Sequence, residues 1–131
     1  MANDNVLTLV GNLTTDPELS LTKSKIPVCN FTVAYTPRVL DRARDEWVDG
    51  DPLFLRCTVW GTHAENAAAS LNKGQRVVVL GRLKQSQWED KDGNKRTTIE
   101  LEVDEVGHSL RFGQSEFTRS ASKAAPSKGL R

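Results

Sequence analysis

The sequence predicts an all-β domain carrying one short helix and ending in a structureless tail. Three observations support this. Several stretches alternate apolar and polar residues with a period of two, which suits strands whose side chains point to opposite faces. Only one stretch, Thr62 to Lys73, reads as a helix. After Gly113 the apolar residues thin out and Ser, Ala, Lys, Gly and Pro126 take over, too little to order a chain against its entropy. The predicted division is therefore an ordered domain over residues 1–112 and a mildly basic tail over 113–131.

Val6 to Leu13 forms the first predicted strand, with Gly11-Asn12 suggesting a bend or bulge. Thr15-Asp16-Pro17-Glu18 and Thr22-Lys23-Ser24-Lys25 make turns. Pro27 lacks an amide proton, which restricts it to an edge or a strand start. Val28 to Thr36 is the second strand, with Phe31, Val33 and Tyr35 on one face. Arg38 to Pro52 is a polar, charge-dense loop that holds Trp47. That indole either lies as a lid on the core or stands out as a stacking platform, and the rarity of unburied Trp favours the lid.

Leu53 to Trp60 is the third strand and the most informative one. Leu53, Leu55, Cys57 and Val59 share an apolar face, while Phe54, Arg56, Thr58 and Trp60 share the other. Two aromatics flanking a guanidinium fit a surface on which unpaired bases stack and phosphates pair. A strand buried on both faces, with Arg56 at the rim, fits the same residues. Thr62-His63-Ala64-Glu65 has the form of a capping box that opens the helix, and Lys73-Gly74 suits its end. Arg76 to Trp88 comes next as a long strand, buried on both faces over Val77 to Leu80. Arg82, Lys84, Ser86 and Trp88 then share one wet face. Asp92-Gly93 turns the chain. Arg96 to Val106 returns with Ile99, Leu101 and Val103 alternating against Thr98, Glu100, Glu102 and Asp104, which read as a solvated face. Ser109 to Phe112 reads as a last short strand.

Three strands, a helix and a two-stranded hairpin match the order of the OB fold, a five-stranded Greek-key barrel. The 131 residues carry a net charge of +1, so a basic surface must come from local sorting of charge rather than from excess. No apolar run is long enough to span a bilayer, and the N-terminus lacks the pattern of a secretory signal. The expected setting is the cytoplasm, with no membrane partner. His63 and His108 have no ligand or nucleophile at catalytic or metal-site spacing, so neither an enzyme nor a cofactor is expected. Cys57 falls on the apolar face as a small core residue. Cys29 lies near a predicted edge, and a disulfide between subunits involving Cys29 and Cys57 is a lesser alternative to free thiols.

Several motifs together resemble the bacterial single-stranded DNA-binding proteins of the homotetrameric OB class, while the segments from Thr36-Pro37-Arg38 to Leu53 through Cys57 and from Lys95-Arg96-Thr97 to Val106-Gly107 are most similar to their actinobacterial branch. The family motifs are Leu9-Val10-Gly11-Asn12-Leu13 with Asp16-Pro17-Glu18, Phe31-Thr32-Val33-Ala34, and Phe54 through Gly61. Glu65-Asn66, Leu71 with Lys73-Gly74, and Val78 through Leu83 complete the set. The resemblance covers about residues 5–112. It implies sequence-independent binding of single-stranded DNA by a homotetramer near the nucleoid, in replication, recombination, repair or segregation. It places stacking on Phe54, Trp60 and Trp88 and phosphate contacts on Arg56 and Lys73. Strand parity adds Arg82 and Lys84. Arg38 stands where many relatives carry a further stacking Trp. Relatives usually end in an acidic tip that recruits partner enzymes, whereas this sequence ends Ser127-Lys128-Gly129-Leu130-Arg131. The expectation is a short paralogue with reduced recruitment. An RNA-binding module of cold-shock type and an OB subunit that binds protein alone are the competing readings.

Overall fold

The computed structural model describes residues 5–120. The strands are β1 (Val6–Leu13), β2 (Glu18–Leu21), β3 (Pro27–Tyr35), β4 (Arg38–Asp41), β5 (Glu46–Asp49), β6 (Leu53–Trp60), β7 (Arg76–Glu89) and β8 (Lys95–His108), and the helix α1 (Thr62–Ser70) lies between β6 and β7. Five of these strands close a ring. β1 pairs antiparallel with β3 and β7, β3 with β6, and β7 with β8, while β6 and β8 run parallel. This is the predicted OB barrel, closed so that its strands leave no long open edge. β2 extends β3, and β4 and β5 form a separate two-stranded arm between Pro37 and Gly50.

Alternation fills the barrel. Leu9 and Leu13 point inward from β1, Phe31 and Val33 from β3, Leu55, Cys57 and Val59 from β6, Val77 and Val79 from β7, and Leu101 and Val103 from β8. Ala64 and Ala67 of the helix, with Leu71 just beyond it, plug one end. Barrel closure brings backbones close. A Cβ on Gly11 would stand 2.3 Å from the Ala34 carbonyl oxygen, so Gly11 marks a close approach within β1, just where its pairing passes from β7 to β3 at Asn12. Gly81 is similarly placed, 2.3 Å from the Glu102 carbonyl oxygen, where the β7–β8 register slips by one residue.

Several expectations need correction. Leu53 is exposed although it shares parity with the core, because it lies at the start of β6 beyond the barrel's rim. Tyr35 and Ile99 are exposed for the same reason, each on a strand that outruns the core. Val78 and Leu80 face outward from β7 and are not fully buried. The capping box does not form: Gly61 is the N-cap, at φ 72, and no side chain caps the helix. Residues 109–112 form no strand; Arg76 and Arg111 lie over the Phe112 ring at 5.5 and 5.7 Å from its centroid.

Cys29 and Cys57 are both fully buried, unpaired core residues. Burial disfavours the thiolate, raising Cys29 and pushing Cys57 up to about 12. The placement of Cys29 corrects the edge reading: it pairs with Leu19 of β2 on one side and Val59 of β6 on the other. Neither thiol is presented at a surface where another subunit could meet it.

The first residues of the predicted tail run beside the helix. His108 holds them: its Nε2 meets the Ser70 carbonyl at 3.1 Å and Gln75 Oε1 at 2.9 Å, and its Nδ1 meets Ser115 Oγ at 2.8 Å. Two acceptors at Nε2 require the proton there, so Nδ1 accepts from the Ser115 hydroxyl in the neutral ring. The expectations for residues 121–131 of the tail and for the C-terminal tip lie outside the described residues.

Candidate nucleic-acid interface

The outer face of the barrel across β6, β8 and β7 gathers most of the sequence-predicted residues. Alternation sends Phe54, Arg56, Thr58 and Trp60 outward from β6. Their exposure settles the two readings of this strand: Phe54 is 60% and Trp60 47% exposed, so the second face is open. β7 outruns the barrel with β8 as a long hairpin. Its outward residues stand in register with those of β8: Arg82 opposite Glu102, Lys84 opposite Glu100, Ser86 opposite Thr98, and Trp88 opposite Arg96. Trp88 is 51% exposed, and its Nε1 donates to Thr98 Oγ1 at 2.9 Å. That bond anchors the indole on the hairpin while leaving ring surface open. Asp90 secures the hairpin tip by accepting from the Asn94 and Asp92 amides and pairing with Arg96 at 2.9 Å. The Asn94 amide foremost, with Arg96 helping, holds its carboxyl below the usual range.

Between β6 and β7 lies a shallow hollow of about 100 Å³, lined by Thr58, Trp60, Lys84, Ser86, Glu100, Leu101 and Glu102. Trp60 and Lys84, predicted separately from two strands, therefore border one depression. Thr58 donates to Asn30 Oδ1 at 3.0 Å, tying this face to β3.

The cations are not bare. Arg56 Nε lies 3.6 Å from Glu100, Arg82 Nη2 lies 3.4 Å from Glu102 and 3.1 Å from Asp104, and Lys84 Nζ lies 3.7 Å from Glu102. The carboxylates expected to form a merely solvated face are their ion-pair partners. Strand parity alone puts those carboxylates outward; recognising the pairs also needs the β8 register. Such exposed pairs are screened and exchange readily with other ions.

Lys73 is not on this face. It sits in the turn after the helix, its amide donating to Asp16 Oδ1 at 2.8 Å. The lid expected of Trp47 does not form: the ring is 61% exposed on the β4–β5 arm, opposite Leu40. Its carbonyl accepts from Arg38 Nη2 at 2.8 Å, and Arg38 also lies 3.6 Å from Asp49. The arm stands on its own pairing, so it offers no core for the ring to cover.

A larger hollow of about 680 Å³ lies on the opposite, helical side, between α1, the end of β8 and residues 114–120. His63 and His108 border it, and among the described residues no group of three His, Cys, Asp or Glu side chains could hold a metal ion. Among its polar groups, His108, Ser115, Asn66 and Ser120 make bonds that pin the chain after β8. No described helix is long and apolar enough to cross a membrane.

Comparison with known proteins agrees with this geometry. A "Single-stranded DNA-binding protein" of Mycobacterium bovis is 52% identical over 131 residues, covering 100% of this chain and 80% of that protein. One from Paenarthrobacter aurescens is 55% identical over 120 residues, 92% of this chain and 70% of that one. The crystal structure of a small single-stranded DNA-binding protein from Streptomyces coelicolor superposes with a TM-score of 0.71 at 33% identity, covering 85% of this chain and 99% of that chain. The family described as "Single-strand binding protein family" matches residues 4–109. With that match spanning the whole barrel, the chain belongs to the single-strand binding protein family.

Proposed function

We propose that this chain binds single-stranded DNA without sequence preference and does no chemistry on it. Bases stack on Phe54, Trp60 and Trp88, while phosphates meet Arg56, Arg82 and Lys84, with Lys73 contributing from outside the sheet face. The observation that carries this reading is one open sheet face holding three exposed aromatics interleaved with cations. Family membership and the names of the relatives support the choice of DNA.

The working form is a homotetramer. Val6 and Val78 are exposed on the outer face of β1 and β7, with Val10 directly opposite Val78 and half-buried Leu80 beside them. A second copy covering this strip would bury apolar surface that a small barrel leaves wet. Coating of exposed strands at the nucleoid, during replication, recombination, repair or segregation, is the cellular role that suits such binding.

Fluorescence anisotropy of a labelled oligo-dT strand tests the reading. Affinity is expected to fall with salt, with a log–log slope no steeper than about −0.7 for each phosphate contact. Unlabelled single strands of any base composition are expected to compete, and duplex DNA is not. Preferential competition by RNA would favour the RNA-binding alternative, and no binding at low salt would leave protein partners as the remaining explanation for the face.

A further inference from the structure

The outward carboxylates of β8 stand between the cations of β6 and those of β7. In register, Glu100 has Arg56 on one side and Lys84 on the other, and Glu102 has Thr58 and Arg82. Glu102 reaches both Arg82 and Lys84, Glu100 reaches Arg56, and Asp104 reaches Arg82. Every sheet cation assigned to phosphate therefore already has an anion of the protein beside it. We propose that Glu100 and Glu102 act as built-in phosphate surrogates that limit the phosphate-borne share of DNA affinity and make binding depend on stacked bases. This inference rests on the single-stranded DNA reading above.

Each phosphate contact exchanges ions with the solvent. A phosphate that meets an unpaired Lys or Arg sheds its condensed counterion, and that release drives binding at low salt. A phosphate that meets Arg56, Arg82 or Lys84 must first displace a carboxylate. The displaced carboxylate then gathers a cation from solution while the phosphate loses one. The net release at that contact falls toward zero, and both affinity and salt dependence fall with it. The carboxylates can let go, because Glu100 and Glu102 side chains are 38% and 31% exposed and their pairs are surface pairs. They also border the Trp60 hollow, so they act where a stacked strand would pass. Meanwhile they hold the cations over the sheet in the free protein. A chain of phosphates without bases gains little on such a surface, whereas stacking is untouched by the exchange. This also accounts for a cation-bearing face in a chain whose net charge is only +1.

The test uses the full chain and its Glu100→Gln/Glu102→Gln and single Glu102→Gln variants. Glu116→Gln serves as a control that removes a charge outside this face. Labelled oligo-dT and an abasic strand of equal length are titrated over a salt series. The double variant is expected to bind dT roughly tenfold more tightly at low salt, with a slope steeper by about 1.4, the value for two restored contacts. The curves should converge at high salt, the single variant should fall between, and the abasic strand should gain by a similar factor. Unchanged or weaker binding in both glutamine variants overturns the inference, as does a gain that ignores salt or one matched by Glu116→Gln. A gain on dT with none on the abasic strand also overturns it, since the carboxylates would then be acting on bases. If the unsubstituted chain binds neither strand, the DNA reading itself fails and takes the inference with it.

Discussion

Replacing Trp60 and Trp88 together by alanine is expected to weaken oligo-dT binding by at least roughly thirtyfold. Each stacked base is worth about 1–3 kcal/mol by alanine substitution, and two lost platforms remove about 2–6 kcal/mol if they act independently. The fold should survive, because neither ring belongs to the core: both are about half exposed, and the barrel interior is filled by other side chains. Trp88 does lose its bond to Thr98, a surface contact of the hairpin. Anisotropy titration measures the affinity, and circular dichroism with a thermal melt separates lost binding from lost structure. A double variant that melts normally and binds normally would remove both indoles from the interface.

Replacing Gly81 by alanine is expected to cost the barrel much of its stability. The new Cβ would sit 2.3 Å from the Glu102 carbonyl oxygen and 3.1 Å from the Leu101 side chain. The first neighbour is backbone of a paired strand and cannot swing aside. Overpacking of this kind costs about 1–3 kcal/mol or more, and a rigid backbone neighbour puts this site at the upper end. For a domain of this size that corresponds to a fall in melting temperature on the order of 10 °C. Gly107→Ala is the matched control, since nothing lies within 4 Å of its Cβ position. Equal melting temperatures for the two variants would show that the β7–β8 pair can relax around the clash. DNA affinity is expected to fall with the Gly81 variant only as far as folding does, because Gly81 is buried on the inward side of β7.

Much of the fold is legible in the sequence because strands longer than about six residues repeat their pattern often enough to read. Residues 53–60 alternate cleanly, and their inward Leu55, Cys57 and Val59 and outward Phe54, Arg56 and Trp60 lie where alternation puts them. The short strands are not legible. β2 and each strand of the β4–β5 arm are four residues long, too brief for a period to show, and half the residues of β4 and β5 are charged. The exposure of Trp47 is hidden with them, because it depends on an arm that has no core of its own. The helix is legible, but Thr62 and Glu65 satisfy a capping pattern that Gly61 fulfils by backbone conformation instead. Leu53 and Ile99 show another limit: parity gives the face of a residue but not how far the barrel extends beneath it.

The ion pairs escape the sequence for a related reason. Parity places Glu100, Glu102 and Asp104 correctly on an outward face, yet which strand stands beside them is a property of barrel closure. The parallel pairing of β6 with β8 joins residues some forty positions apart, and no local pattern announces it. Cys29 illustrates the same point, since β2 on its far side turns an edge into interior.

Tryptophan emission during titration with oligo-dT tests stacking more directly than affinity does, because it reports the rings themselves. At low salt, emission is expected to drop as DNA saturates the protein and to level off once every site is filled. Saturation of labelled DNA at low salt with emission unchanged throughout would contradict the stacking role of Trp60 and Trp88.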